Sequence, residues 1–151
     1  MSPSWSIRRY AESDLRDVAR IHLSSFSSIG IKRGEFRTSA TKNLPGKCLV
    51  AVSPSKEILG YVIWTERKDG TLYCNWIAVA KAHSRRGIAR ALMSALQRLA
   101  RRTGHKRLEI DTRNRFRAAL AFYIEIGFDV VEVWRAPDRD LMIKMRRTLA
   151  E

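Results

Sequence analysis

Arg85, Arg86 and Gly87 are the residues best placed for chemistry, because they stand just before an apolar pattern of helical period. The first turn of a helix has backbone N–H groups without intrahelical partners and the positive end of the helix dipole, so it favours an anion. Gly87 has no Cβ to keep a phosphate from the main chain, and the arginines add charged donors. These residues predict a diphosphate site. A solvated basic loop is the alternative, because short loop motifs often occur by chance and neither common nucleotide-binding glycine motif is present.

The diphosphate residues need a strand before them and a helix after them, and the sequence supplies both. Strand-like residues run from Thr71 to Val79, and a helix is predicted from Ile88 to a C-cap at Gly104. The apolar positions of that helix recur at helical spacing, at Ile88, Leu92, Ala95, Leu96 and Leu99. One face of the helix is therefore expected to pack and the other to stay in water.

The remaining elements predict an α/β (α+β) fold. Before the central stretch we expect a strand over 5–10, a helix with Ser13 as N-cap and an end near Phe26, a loop over 27–34, a weak helix over 35–44, and strands over 47–52 and 59–65. After it we expect a strand over 107–112, a helix over 116–126 stopped by Gly127, strands over 128–135 and 141–145, and a short charged tail. The predicted order is β-α-α-β-β-β-α-β-α-β-β.

Length and composition predict a single domain over residues 1–151. No apolar run approaches the roughly 20 residues that cross a bilayer, and the polar N-terminus has no signal-peptide core, so a cytoplasmic protein without membrane contact is expected.

Cys48 and Cys74 lie inside apolar segments and lack metal-ligand spacing. They predict two reduced, buried thiols and no metal.

The formal net charge of +14 points to an anionic partner. Twelve cationic residues lie between Lys81 and Arg117, against only Glu109 and Asp111. They cluster around the predicted diphosphate loop but exceed what one small ligand needs, so a polyanionic partner stays open. Aromatic residues are not interleaved with these arginines apart from Phe116, and no nucleic-acid motif is present, which argues against a specific nucleic-acid site.

Two stretches together resemble the GNAT superfamily of acyl-CoA-dependent N-acetyltransferases. Ser84 to Ala89 (SRRGIA) is similar to the family's diphosphate loop, and Ala118 to Phe128 (AALAFYIEIGF) resembles its later helix, which carries a tyrosine and ends in Gly-Phe. Both motifs stand in the family's order and spacing, with a strand between them. The resemblance implies a mixed, mostly antiparallel seven-stranded sheet with helices on both faces, and acetyl-CoA as cosubstrate.

The resemblance also implies which residues bind the cofactor. The diphosphate would lie on the loop from Ser84 to Arg90, and the pantetheine arm would pair with the main chain of the fourth strand at Ile77, Ala78 and Val79. The loop's individual members are Ser84, Arg85, Arg86, Gly87, Ile88, Ala89 and Arg90. Ser84 departs from the family's usual Gln or Arg. The family's frequent helix-start asparagine is Phe116 here, so Asn114, two residues earlier, is the candidate for that contact.

Acyl transfer to an amine needs a group to protonate the leaving thiolate and a group to take the amine's proton. The match to the family's helix tyrosine makes Tyr123 the candidate acid, although a tyrosine on an apolar stripe is also typical core. The fourth strand carries no carboxylate or histidine, so Glu109 and Asp111 on the next strand are the candidate bases. Salt bridges to the abundant arginines are the alternative role for both carboxylates, and solvent is the alternative base.

The family places the acceptor pocket beside the segment after the first helix. Phe26, Ile29 and Phe36 are candidate lining residues, with simple packing on the core as the alternative for all three. His22 is expected to be a packing residue. The function expected is acetyl transfer from acetyl-CoA to a primary amine, of a small molecule or a peptide, by direct transfer in a ternary complex. The alternatives are a basic nucleic-acid-associated domain and a non-catalytic CoA-binding module. A homodimer is compatible with the family.

Overall fold

The computed structural model describes residues 4–27, 46–84 and 86–149. The chain divides into two compact units, the first made of Met1–Thr65 and Asn75–Leu96 and the second of Glu66–Cys74 and Gln97–Glu151. The predicted loop over 28–34, the predicted helix over 35–44, and Arg85 lie outside the described residues.

Seven strands form one mixed sheet in the order β1-β2-β3-β4-β5-β7-β6. The strands are β1 (Ser6–Arg9), β2 (Cys48–Val52), β3 (Ile58–Glu66), β4 (Thr71–Val79), β5 (Arg107–Arg113), β6 (Asp129–Arg135) and β7 (Leu141–Thr148). The helices are α1 (Leu15–Phe26), α2 (Ile88–Arg102) and α3 (Arg117–Glu125). The predicted fold class and the predicted order of these elements are confirmed.

In the first unit, α1 packs on antiparallel strands. β1 pairs with β2, and β2 pairs with β3 in a register that sets Val50 opposite Tyr61. Alternate residues of these strands share one face with the apolar side of α1, in a core formed by Tyr10, Val18, Ile21, Cys48, Val50, Val52, Ile58, Tyr61, Ile63 and Ala78. This core fixes the end of β4 that leads into the predicted diphosphate loop.

The start of α1 differs from the prediction. A short 3-10 turn, Glu12–Asp14, precedes the helix. The N-cap position of the helix is Asp14 rather than the predicted Ser13. The Asp14 carboxylate accepts the Ala11 N–H at 2.8 Å and pairs with Arg8 through both guanidinium ends, at 2.7 and 2.9 Å. The two oxygens of a carboxylate can accept these three hydrogen bonds together, whereas a serine hydroxyl has only two acceptor lone pairs, so the turn is built around Asp14.

In the second unit, the start of β4 pairs in parallel with β5, from Thr71 opposite Arg107 to Cys74 opposite Ile110. β5 then pairs antiparallel with β7, and β7 with β6. β7 continues to Thr148, so the predicted charged tail is wrong. The strand extends because Arg146, Arg147 and Thr148 pair with Glu109, Leu108 and Arg107.

Gly127 ends α3 as predicted, with a φ of +100° that only glycine adopts easily. The Arg147 guanidinium donates to the Ile126 carbonyl at this helix end. Within the described ranges, no helix combines the length and apolar character that crossing a membrane requires.

Candidate active site

The connector between β4 and α2 presents the start of a helix. A 3-10 turn covers Lys81–His83, and Gly87 has a φ of +84°. The helical hydrogen-bond ladder begins with the Ala91 N–H, which donates to the Gly87 carbonyl at 3.0 Å. The N–H groups before Ala91 therefore lie outside that ladder, in the arrangement that suits an anion.

Side chains of the predicted loop differ in exposure. Ser84, Arg86, Gly87 and Arg90 are exposed, Ala89 is half-buried, and Ile88 is buried. Ile88 anchors the first turn in the core, while its neighbours face solvent. The described part of the loop thus combines a buried anchor, Ile88, with exposed side chains.

Arg86 is held by residues that the sequence analysis did not connect with it. Its guanidinium donates to the Ser4 hydroxyl at 2.5 Å and to His83 Nδ1 at 2.8 Å, and it lies 5.7 Å from the centre of the Trp5 ring. Ser4 and Arg86 are 82 positions apart in sequence, and no local pattern links them.

β4 is irregular just before the predicted pantetheine residues. Asn75 accepts the Thr65 hydroxyl at 2.5 Å, and Thr65 lies on the same side of β3 as Ile63 in the α1-facing core. Trp76 also packs against that core. Adjacent residues of a regular strand point to opposite faces, whereas the side chains of Asn75 and Trp76 both lie on the side of the sheet that faces α1. A β-bulge produces such a local break in alternation. Ile77, Ala78 and Val79 follow directly.

Glu109 is a buried carboxylate with arginine partners. It is 5% exposed, and its Oε2 accepts Arg146 Nε at 2.7 Å and Nη2 at 2.6 Å. Arg67 Nη1 lies 3.5 Å from Oε1. Both carboxylate oxygens therefore face cations within the second unit.

The Asp111 side chain lies on the same face of β5 as Glu109 but has different partners. Its Oδ2 accepts the Tyr73 hydroxyl at 2.6 Å, while Oδ1 is buried and receives no hydrogen bond from the described residues. Burial and then this hydrogen bond to Asp111 raise the pKa of Tyr73, so the phenol stays protonated and donates. Arg67 lies over the Tyr73 ring at 4.1 Å.

Tyr123 lies on α3 and is 6% exposed. Burial, followed by the nearby Cys74 thiol, raises its pKa. Phe122 and Phe128 flank the ring at 5.5 and 5.9 Å between centroids. Cys74 pairs with Ile110, and the alternation of strand side chains puts it on the face of β4 opposite Tyr73. Within the second unit, Tyr123 therefore lies on the other face of the sheet from Glu109 and Asp111.

Asn114 is tied into the turn after β5. Its N–H donates to the Leu141 carbonyl at 2.8 Å. Asp140 accepts from Arg113 at 2.6 Å and from Arg115 at 2.7 Å, the residues on either side of Asn114. This network fixes the backbone between β5 and α3.

The predicted acceptor pocket is described only at Phe26, because Ile29 and Phe36 lie outside the described residues. Phe26 is half-buried and packs 4.9 Å from Trp76 and 5.0 Å from His22, measured between ring centroids. His22 is buried, as expected of a packing residue, and its Nδ1 shares a hydrogen bond of 2.5 Å with the Tyr61 hydroxyl. Burial lowers the His22 pKa to about 4, so the ring is neutral at pH 7.

The described residues contain no group of three or more His, Cys, Asp or Glu side chains arranged to hold a metal ion.

The family model described as Acetyltransferase (GNAT) family matches residues 15–128, a span that includes β4, the connector, α2, β5 and α3. The chain belongs to this GNAT acetyltransferase family. It is an acetyl-CoA-dependent acetyltransferase, and the recognised resemblance is confirmed.

Solved GNAT structures share the fold of the whole chain. Ard1 from Thermoplasma volcanium aligns with a TM-score of 0.86 at 20% identity, over 98% of this chain and 99% of that one. The ribosomal-protein-S18-alanine N-acetyltransferase from Escherichia coli aligns with a TM-score of 0.79 at 21% identity, over 97% and 95%. Naa20 from Chaetomium thermophilum, solved with a bisubstrate analogue, aligns with a TM-score of 0.77 at 20% identity, over 95% and 86%. No curated protein sequence matches.

Proposed function

We propose that this GNAT protein is an N-acetyltransferase that moves an acetyl group from acetyl-CoA directly to a primary amine in a ternary complex. The observation that carries the proposal is the buried Oδ1 of Asp111, which receives no hydrogen bond from the part of the chain that the structure describes. A buried carboxylate oxygen without a donor is costly, and an incoming amine or ammonium supplies N–H groups for it. Such an oxygen therefore suits an amine acceptor.

Asp111 is favoured over Glu109 as the group that receives the amine's proton. The Glu109 carboxylate already binds Arg146 and faces Arg67, so it acts as a structural anion. Asp111 keeps one oxygen for the acceptor while Tyr73 holds the other. Tyr73 was not a candidate in the sequence, and its role is to position Asp111.

The chain's groups fit the parts of acetyl-CoA. The diphosphate is assigned to the N–H groups after Gly87 and to the side chains of the loop, Ser84, Arg85, Arg86 and Arg90, with Ile88 and Ala89 contributing backbone donors. The pantetheine amides are assigned to the main chain of Ile77, Ala78 and Val79, and Asn114 is a further contact. The positive φ of Gly87 and the ladder that starts at Ala91 support this assignment.

In the proposed reaction the neutral amine attacks the thioester carbonyl, a C–N bond forms, and the C–S bond breaks as the tetrahedral intermediate collapses. A backbone N–H near Val79 stabilises the oxyanion. Asp111 accepts the proton that the amine loses, and Tyr123 donates a proton to the departing thiolate. The raised pKa of Tyr123 keeps the phenol protonated, and it requires that proton donation accompany C–S cleavage rather than precede it.

The acceptor class is a primary amine of a small molecule or of a peptide. Among the structural neighbours are a ribosomal-protein-S18-alanine N-acetyltransferase and a Naa20 solved with a bisubstrate analogue. A third is named as a putative phosphinothricin N-acetyltransferase. Peptides beginning with alanine and small amino compounds are therefore the first acceptors to screen. One domain over 1–151, a cytoplasmic location and a homodimer stay predictions.

The test is calorimetry with acetyl-CoA followed by an acceptor screen that detects free CoA. Binding without any acceptor-dependent release across small amines and peptide libraries would reduce the protein to a CoA-binding module. A folded protein that gives no binding heat with any acyl-CoA at millimolar concentration would end the proposal.

A further inference from the structure

We infer that the segment before β1, Ser4 and Trp5, together with His83, forms a holder that positions Arg86 for the cofactor diphosphate. The inference rests on the proposed role of Arg86 in the diphosphate loop. It assigns a positioning role to three residues that lie outside the family's loop motif and that no comparison of local sequence would select.

The holder consists of three residues from two segments of the first unit. Ser4 accepts from one terminal nitrogen of Arg86 at 2.5 Å, and His83 Nδ1 accepts from the other at 2.8 Å. Trp5 lies beneath the guanidinium at 5.7 Å. A guanidinium held at both terminal nitrogens and over an aromatic ring has lost much of the rotamer freedom of a free arginine.

His83 is itself oriented by a fourth residue. Its Nε2 lies 3.3 Å from the Glu57 carboxylate in the turn between β2 and β3. With Nε2 carrying the proton for Glu57, Nδ1 is the acceptor that Arg86 requires, so the two contacts agree on one tautomer. The holder is therefore a connected chain from Glu57 through His83 to Arg86.

Trp5 also lies against the backbone of the loop. A Cβ placed on Gly87 would be 4.0 Å from the Trp5 ring, which is ordinary contact distance. The edge of the indole therefore lies near Gly87 as well as near Arg86. An arginine fixed in this way presents its remaining N–H donors to an anion at a smaller entropic cost than a free side chain.

The test is a set of Kd measurements for CoA on the full-length chain. Ser4→Ala, Trp5→Ala and His83→Ala are each expected to weaken CoA binding about 3- to 10-fold, the size of one ordinary hydrogen bond or one exposed cation–π contact. His83→Asn, which keeps an acceptor near the Nδ1 position, should recover most of the affinity. Trp134→Ala is the matched control, because Trp134 also meets a cation, Lys144 at 6.0 Å, in the second unit.

Double mutants separate a positioning effect from general damage. In an Arg86→Ala background, Trp5→Ala and His83→Ala should weaken CoA binding no further, since the residue they position is gone. The same losses should appear with 3′-dephospho-CoA, which keeps the diphosphate. Thermal unfolding of each variant establishes that it is folded, and Ser4→Ala and His83→Ala serve if Trp5→Ala does not fold.

The outcomes distinguish the two levels of the proposal. If Arg86→Ala binds CoA as the parent does, the assignment of Arg86 to the diphosphate fails and the holder fails with it. If Arg86→Ala weakens binding but the holder variants do not, or bind more tightly, only the holder is overturned. If the variants lose affinity for CoA but not for 3′-dephospho-CoA, Arg86 contacts the 3′-phosphate instead of the diphosphate. That result would also overturn the holder.

Discussion

The two carboxylates of β5 differ in their partners, and this difference predicts different mutant phenotypes. Asp111→Asn keeps the side-chain shape but removes the proton acceptor, so kcat/KM should fall about 10²-fold, the usual lower range for a general base. Stability should be unchanged or slightly higher, because a buried oxygen that has no donor among the described residues loses its charge. Steady-state kinetics and thermal unfolding measure the two effects.

Glu109→Gln is the matched control on the same strand. It breaks the ion pair with Arg146 and leaves that guanidinium with a neutral partner, so unfolding free energy should fall by about 1–3 kcal/mol. Once corrected for the folded fraction, kcat/KM should change only a few-fold. A larger catalytic loss for Glu109→Gln than for Asp111→Asn would reverse the assignment of the base.

Tyr123→Phe tests the proposed acid. The substitution leaves the ring in its place between Phe122 and Phe128, so the fold and CoA affinity should be retained. Because the leaving thiolate then lacks a proton donor, kcat should fall at least about 10-fold. Full kcat from pH 6 to 9 would remove Tyr123 from the mechanism.

His22 makes stability depend on pH. Its pKa is about 4 in the folded chain against 6.5 for a free side chain, so the unfolded chain binds more protons between these values. Stability should therefore be constant with respect to this group above pH 6.5 and fall as the pH drops toward 4, by about 3 kcal/mol in total.

His22→Asn is the comparison variant, because its amide can still meet the Tyr61 hydroxyl and cannot titrate. Urea unfolding at pH 7 and pH 4.5 should give a smaller acid loss for His22→Asn than for the parent. Equal losses would show that His22 does not carry the effect.

At the scale of elements, the two ends of α2 provide a matched pair of glycines. Gly87 has a φ of +84° and Gly104 a φ of +80°, and neither position has an atom closer than 4.0 Å to an added Cβ. Alanine at either site should therefore cost about 1 kcal/mol from backbone strain alone. Only Gly87→Ala should also weaken CoA binding, because only Gly87 lies in the proposed diphosphate loop. Equal CoA affinity for both variants would contradict the loop assignment.

The elements also differ in how well periodicity predicted them. The strands from Cys48 to Val79 and the helix from Ile88 were predicted within one or two residues, because buried alternation and helical spacing are local properties. The true end of β7 was missed. Arg146 and Arg147 look like a polar tail in sequence, and only their partners on β5 make them strand residues.

At the scale of the whole molecule, the net charge of +14 predicts weak, nonspecific attraction to polyanions. A fluorescent RNA or DNA oligomer should bind at low salt and dissociate as ionic strength rises to physiological values, because binding of this kind depends on released counterions. Oligomers of different base sequence should bind with about the same affinity. Sequence-specific binding that persists at physiological salt would favour the nucleic-acid function over a purely enzymatic one.

The amino-acid sequence by itself determined the order and type of the elements, the helix start at Gly87 and the family, because these follow from local spacing and short motifs. It also proposed Glu109, Asp111 or solvent as the base. Only the tertiary structure decided which carboxylate is engaged by arginines, since Arg146 and Tyr73 lie 37 and 38 positions away along the chain. Ser4 and Trp5 could not be connected with Arg86 from the sequence for the same reason, because they lie far from it along the chain. Hydrogen-bond partners on separate strands and segments leave no periodic signal, and only folding brings them together.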